Sequence, residues 1–363
     1  MEEELMSFAP RPAVQPWARV NTGRRIQILL ASVAPIVLTV AVILLTGLDK
    51  NVALIGVFLP LQLIAASAVG FRAFGRRGVG DAALIVLVLF FATFVLVLLA
   101  SVVFALVSQG AQAMSWGFFT QNNRYVSNTT SLQYGGVGHA IIGTLLVVGL
   151  TTVVTVPLGI AMAIYLTQSQ SKTKGIIRTL TQAISGLPSV VAGLFILSVA
   201  FTLDLQRSGF LGSMALLPLM LPTIARVAEE ALRLVPVDLR YAALALGAPN
   251  YRAFFQVILP AAKSGLVTAI LLGVARIIGE TAPLILTVPI NNGTSWNPFS
   301  GELMTLPAYV YNYLGSAFVP AQNRAWGAAL VLMILVAILF GATRILSRSK
   351  SLKSKPTKEK ASK

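Results

Sequence analysis

Long apolar runs recur along the chain, separated by short polar and basic segments. A helix that crosses a hydrocarbon layer of about 30 Å, rising about 1.5 Å per residue, needs about 20 apolar residues. Runs of that order predict eight spans: Ile26–Leu48, Val52–Phe71, Ala82–Val107, His139–Leu166, Leu180–Leu203, Phe210–Ala225, Ser264–Pro289 and Ala325–Thr343. The sixth is short and holds Pro218 and Pro222, which predicts a broken helix buried against neighbours. Eight such runs with so few charges argue against buried helices of a water-soluble domain.

Composition sharpens this. Of 363 residues, 56% are hydrophobic and 11% charged, less than half the roughly 25% charged in a typical soluble domain. An ordinary soluble enzyme, a disordered chain and a fibre are excluded. Cysteine is absent and His139 is the one histidine. Disulfides, Cys-ligated zinc, a multi-histidine metal site and a Ser-His-Asp triad drop out with them. The chain opens Glu2-Glu3-Glu4, where a signal peptide carries positive charge, and its first apolar run exceeds a signal h-region. That run therefore reads as a retained span.

The 28 Lys and Arg against 12 Asp and Glu give a formal net charge of +16. With the N-terminus inside and the spans alternating, Lys50, Arg124, Arg207 and Arg324 fall outside and Arg276 falls within a span, leaving 23 of the 28 basic residues inside. Excess Lys and Arg on cytoplasmic segments is what sets topology. Both termini are expected inside, and a nucleic-acid role for the charge loses its support. The Lys-rich tail, 346–363, reads as a basic, disordered cytoplasmic segment beside the lipid bilayer.

The chain divides by composition. Residues 1–81 form a basic N-terminal segment with a two-helix membrane hairpin, closed by the Arg/Gly-rich linker Arg72 to Gly80. Residues 82–345 form the main membrane domain. Its outer loops, Ser108 to Gly138 and Asn291 to Arg324, are polar with aromatics, the pattern of interfacial anchoring. There is no G-x-x-x-x-G-K-[ST] phosphate loop; Gly135-Gly136-Val137-Gly138 lacks the following Lys.

The inner loop 226–263 is unusually long. Asp238 is placed to cap a helix. Leu239, Ala242, Ala243 and Leu246 follow at i, i+3, i+4 and i+7, an apolar stripe. Gly247 can end that helix in the left-handed conformation. After Pro249, the residues Tyr251, Phe254, Phe255 and Ile258 repeat the spacing, and Pro260 closes it. Two short helices with apolar faces either pack on the span ends or dock a soluble partner.

Ala242-Ala243, Gly247, Leu259 and Pro260 resemble the EAA loop of ABC importer permeases, with Tyr241 at the Glu position and Val257 at the Ile position. Further segments are similar to the phosphate-importer branch of that family: Phe118-Phe119-Thr120, Gly186-Leu187-Pro188-Ser189, Glu229-Glu230-Ala231-Leu232, and above all Ala275-Arg276-Ile277-Ile278-Gly279-Glu280-Thr281-Ala282-Pro283. The resemblance covers roughly Met114 to Arg348. It implies an all-α polytopic fold of about eight transmembrane helices with a type I ABC importer core, in a bacterial cytoplasmic membrane. It implies a permease for inorganic phosphate with no cofactor of its own, ATP and Mg being held by partner ATPases. The implied partners are a second permease, two ATPase subunits and an extracytoplasmic phosphate-binding protein. Tyr241, Ala242, Ala243, Gly247, Leu259 and Pro260 would touch the ATPase. The first two spans lie outside the family's usual six.

Arg276 and Glu280 are the ionisable residues placed within the spans. Four apart on a helix, they would share a face. Charges at that depth face a protein interior or a watery path. The two either neutralise each other and fix packing, or lie on an anion path. Arg presents a fork of donors matched to phosphate oxygens, and a carboxylate can accept the O–H that phosphate carries and sulfate lacks. Ser185 and Ser189, beside Pro188, either line the same route or serve helix packing. The rival functions are an ABC permease for another solute, an ion-coupled secondary transporter and a membrane scaffold without a pore.

Overall fold

The structure, a computed structural model, describes residues 22–346. Arg11, Arg19 and the tail from 347 onward lie outside the described residues, as do the side chains of Arg24 and Arg25. Every regular element among the described residues is helical. That follows from a hydrocarbon environment, where each segment must satisfy its own N–H and C=O groups. The chain forms two compact units, Met1–Val103 and Phe104–Lys363.

The first unit holds α1 (Thr22–Thr46), α2 (Lys50–Ala53), a π-helical stretch Leu54–Phe58, and most of α3 (Leu59–Gly110). Asp49 caps α2 by accepting the N–H of Asn51. α3 is two helices joined at Gly75, whose φ of 66° and ψ of −149° reverse the chain. The backbones of Gly70 and Gly78 meet across this reversal. Gln62, Ala66 and Val69 consequently share an apolar groove with Ala82, Ile85 and Leu89. The expected spans Val52–Phe71 and Ala82–Val107 are its two arms, and the Arg/Gly-rich linker makes the bend.

The second unit runs α4 (Trp116–Thr120), α5 (Gly138–Gln168), α6 (Thr173–Ser185), α7 (Ser189–Thr202), α8 (Gly209–Arg233), α9 (Val237–Ala245), α10 (Asn250–Arg252), a π-helical turn Ala253–Ile258, α11 (Leu259–Ala261), α12 (Lys263–Ile278), α13 (Ala282–Thr287), α14 (Leu306–Leu314) and α15 (Val319–Leu346). Its centre is the packing of α5 and α12 on α8. The buried stripe of α5 is almost all small: Ala140, Gly143, Thr144, Val147, Thr151, Thr155, Gly159 and Ala163. Small residues let backbones approach, and that approach is what associates helices in lipid. Thr151 donates to the Ser213 carbonyl at 3.2 Å, and Ser213 donates to the Val147 carbonyl at 3.1 Å. Ile224 of α8, fully buried, fills notches on both neighbours. A Cβ on Gly159 would lie 2.7 Å from one of its γ carbons, and a Cβ on Gly273 of α12 would lie 2.6 Å from the other.

Three expectations are corrected. α8 is one continuous helix of 25 residues with Pro218 and Pro222 inside it, not a broken one, and it extends eight residues past the expected end at Ala225. The fifth span is the bent pair α6 and α7, turned by 102° at Gly186-Leu187-Pro188. α7 alone, with 14 residues, is about 21 Å long and short of a full crossing. The seventh span ends at Ile278, and Gly279-Glu280-Thr281 separates it from α13. Five helices among the described residues are long and apolar enough to cross a membrane, with Lys50–Ala113 counted as one despite its reversal at Gly75, and up to seven result if each bent pair counts as one span.

Gly273→Val is expected to destabilise the unit by about 1–3 kcal/mol through overpacking against Ile224. Adding Ile224→Ala should recover part of the loss, because it empties the space the valine needs. Thermal unfolding of the detergent-solubilised single and double variants measures both.

Candidate functional site

The loop 226–263 grows directly out of α8. α9 starts after Pro236, which occupies the N-cap position, so Asp238 lies in the first turn and does not cap. The glycine turn is as expected. Gly247 has φ of 81°. The Gly247 N–H reaches the Leu244 carbonyl at 2.9 Å and the Ala248 N–H reaches the Ala243 carbonyl at 3.1 Å. Those two bonds close the helix end in a Schellman motif.

Beyond it the second helix is irregular. Ala253–Ile258 is π-helical, and the Leu259 N–H bonds back to the Phe254 carbonyl, five residues earlier. Pro260 has no N–H, so it frees a carbonyl in the preceding turn and favours the wider winding. Pro260 does not end the helix. It sits in the first turn of α11, and the chain bends by 66° at Ala262 into α12.

The loop's apolar residues divide into a packed set and an exposed set. Phe254 and Ile258 are buried with Ala163, Ala228, Leu232 and Leu266, which pins the loop to α5, α8 and α12. The opposite surface is uncovered: Leu246 is 89% exposed, Leu234 83%, Tyr241 65% and Tyr251 60%. Of the predicted contact residues, Ala242, Gly247 and Pro260 are exposed, and Ala243 and Leu259 are half-buried.

Arg276 and Glu280 do not form the expected i, i+4 pair. α12 ends at Ile278 with Gly279 as its C-cap, so Glu280 lies past the helix end. Among the described residues the ion pairs are Arg178–Glu229, Arg226–Glu230 and Arg233–Glu229, and neither Arg276 nor Glu280 is in one. Arg276 instead donates through Nη1 to the Thr223 hydroxyl of α8 at 3.0 Å, and it is exposed on this chain. Mutual neutralisation is therefore not what holds it. Ser189 is the first residue of α7 and half-buried. Ser185 is at the end of α6, donating to the Gln182 carbonyl at 2.7 Å. It lines a polar cleft between α6 and α8 with Arg178, Gln182, Pro222, Arg226, Glu229 and Arg233.

Two features escaped sequence reasoning. Glu229 accepts from Arg178 of α6 and from Arg233 one turn on, the latter at 2.7 Å. Arg324, assigned to a loop, is only 2% exposed and donates to the carbonyls of Thr130, Ser131 and Tyr134 at 2.8–3.0 Å. Beside it, Asn123 donates to the Tyr309 hydroxyl at 2.6 Å and accepts the Gly136 N–H. Burial raises the Tyr309 phenol above its ordinary pKa, and neighbouring Tyr313 adds to the rise. These bonds tie the loops 108–138 and 291–324 together. The one sequence signal was an arginine immediately ahead of an apolar span.

A fold of this kind defines a polytopic membrane protein. Residues 155–351 match the family of binding-protein-dependent transport system inner membrane components. The phosphate transport system permease protein PstA 1 of Mycobacterium tuberculosis (strain ATCC 25618 / H37Rv) is 41% identical over 207 residues, 56% of this chain and 67% of that one. PstA of Haemophilus influenzae (strain ATCC 51907 / DSM 11121 / KW20 / Rd) is 35% identical over 251 residues, 69% of this chain and 87% of that one. PstA of Yersinia pestis is 35% identical over 251 residues, 69% of this chain and 83% of that one. A chain of the MetNI methionine ABC transporter in an inward-facing conformation superposes with a TM-score of 0.47 at 20% identity, over 58% of this chain and 94% of that one. The chain belongs to the binding-protein-dependent transport system inner membrane component family, among the PstA permeases.

Arg324→Met is expected to remove the donor from three partly buried carbonyls and to destabilise the segment 121–135 by about 1–3 kcal/mol. A lower Tm and faster proteolysis of segment 121–135 in the purified protein would register it.

Proposed function

We propose that the chain is a permease subunit of an ATP-driven importer that moves inorganic phosphate into the cytoplasm. The single observation that carries this is the Schellman-capped projection at the end of α8, its apolar surface uncovered, in a chain akin to PstA permeases. A glycine-ended helix held at its base by Phe254 and Ile258 and bare at its tip suits a groove in a soluble subunit. In this proposal Tyr241, Ala242, Ala243, Gly247, Leu259 and Pro260 meet an ATPase of the PstB type. A PstC-like permease completes the pore, and a PstS-like protein delivers phosphate from outside. Both termini are cytoplasmic. ATP and Mg belong to the ATPase, and this chain contributes no catalytic residue.

Arg276 is the proposed cargo contact. Its anchoring to Thr223 leaves donors of the guanidinium fork available to oxyanion oxygens. Glu280, released from the helix by Gly279, supplies an acceptor near by in sequence for a phosphate O–H. Ser189 is proposed for the same route, at the first turn of α7. Ser185 is proposed for an inner station of that route, in the cleft between α6 and α8.

Arg276→Ala is expected to abolish phosphate uptake while the complex still assembles; normal uptake by an assembled variant would remove Arg276 from the path. Leu246→Asp should release the ATPase subunit from the purified complex, because it places a charge in the covered groove. Co-purification of the subunits reads that outcome directly.

A further inference from the structure

We propose that Arg178, Arg226 and Arg233 form a second oxyanion site, one that the transported anion occupies between Arg276 and the cytoplasm. The proposal rests on the phosphate-permease function given above. Its geometry begins on α8, where Thr223, Arg226, Glu230 and Arg233 stand at i, i+3, i+7 and i+10 and so share one face. Thr223 holds Arg276 at the upper end of this stripe. Arg233 closes it, about 15 Å further along the helix.

The cleft between α6 and α8 opens on this stretch. It has a volume of about 250 Å³ and is lined by the three arginines, Gln182 and Ser185. A tetrahedral oxyanion with attendant water fits such a space, since one water takes about 30 Å³. Two carboxylates line it as well, Glu229 and Glu230, so the cleft keeps one net positive charge. Glu229 fixes the guanidiniums of Arg178 and Arg233. Each guanidinium carries five N–H donors. Arg226 uses only Nε, toward Glu230 at 3.4 Å, and its side chain is 77% exposed. Exposed ion pairs contribute little to stability, so fold stability accounts for Arg178 and Arg233, paired with the largely buried Glu229, but not for Arg226 in the same cleft.

The carboxylates give the site its character. They lower its affinity, and a station on a conduction route must release what it binds. They also accept a proton donor, which a hydrogen-bearing oxyanion such as phosphate offers and sulfate does not. α8 ends at Arg233 and α9 begins four residues later, so the site lies at the base of the projecting loop. Movement of that loop would alter the spacing of its arginines.

The test uses the complete complex in vesicles, with binding protein outside, ATP inside, and either phosphate or sulfate preloaded. Internal phosphate should slow uptake by the wild-type complex, and sulfate should not. Arg226→Ala, checked first for assembly, should need about tenfold more internal phosphate for the same slowing, the ratio expected for a lost charge-assisted contact. Arg226→Lys, which keeps the charge without the fork, should fall between. Wild-type uptake indifferent to internal phosphate would overturn the site. So would identical slowing of the wild type and both variants, because the inhibition would then arise at the ATPase. A wild-type complex that takes up no phosphate at all overturns the phosphate function itself.

Discussion

Ile224 lodged between Gly159 and Gly273 is the contact around which the second unit is built. In water, burial of an isoleucine would itself drive association. In lipid the surrounding chains are as apolar as the side chain, so only closeness of fit and hydrogen bonds between helices remain. The small-residue stripe of α5 supplies the closeness, and Thr151 and Ser213 supply bonds between helices that cannot be exchanged for water. α8 is consequently held on both sides, while its two prolines are carried in one continuous helix.

A rigid α8 then connects everything of functional interest. It carries Thr223, which positions Arg276, and Glu229, which ties it to α6. It ends in the loop that bears α9. The base of that loop is packed on α8 through Phe254 and Ile258, whereas its tip is bare. A lever with a fixed base and an uncovered end can transmit a push applied at the end. The π-helical turn before Pro260 and the bend at Ala262 redirect the chain from the lever back into α12.

Arginines show how differently one residue type is used. Arg324 is sunk among three carbonyls and serves to lock the outer loops. Arg276 is exposed on the isolated chain, with a single neutral hydroxyl as its partner. Arg178 and Arg233 share Glu229. Formal charge is the same in all of them; the number of acceptors already in contact decides which can take an anion.

Much of this was legible in the sequence. The length of the apolar runs follows from bilayer thickness and helix rise, so spans and membrane class could be read from them directly. The left-handed turn at Gly247 was equally legible, because a residue without Cβ after an apolar stripe has a local conformational meaning. The fate of Asp238, Pro260 and the Arg276–Glu280 spacing was not, since each depends on where a helix ends, and tertiary packing moves helix ends by a turn. Burial of Arg324 and the cleft around Ser185 were also invisible, because their partners lie far away in the chain. The sequence alone determined that the protein lives in a bilayer and roughly where its apolar segments lie, because those properties depend on solvent and neighbouring residues. Tertiary structure alone decided which charges are spent on protein partners and which stay available, because that depends on acceptors brought together from distant segments.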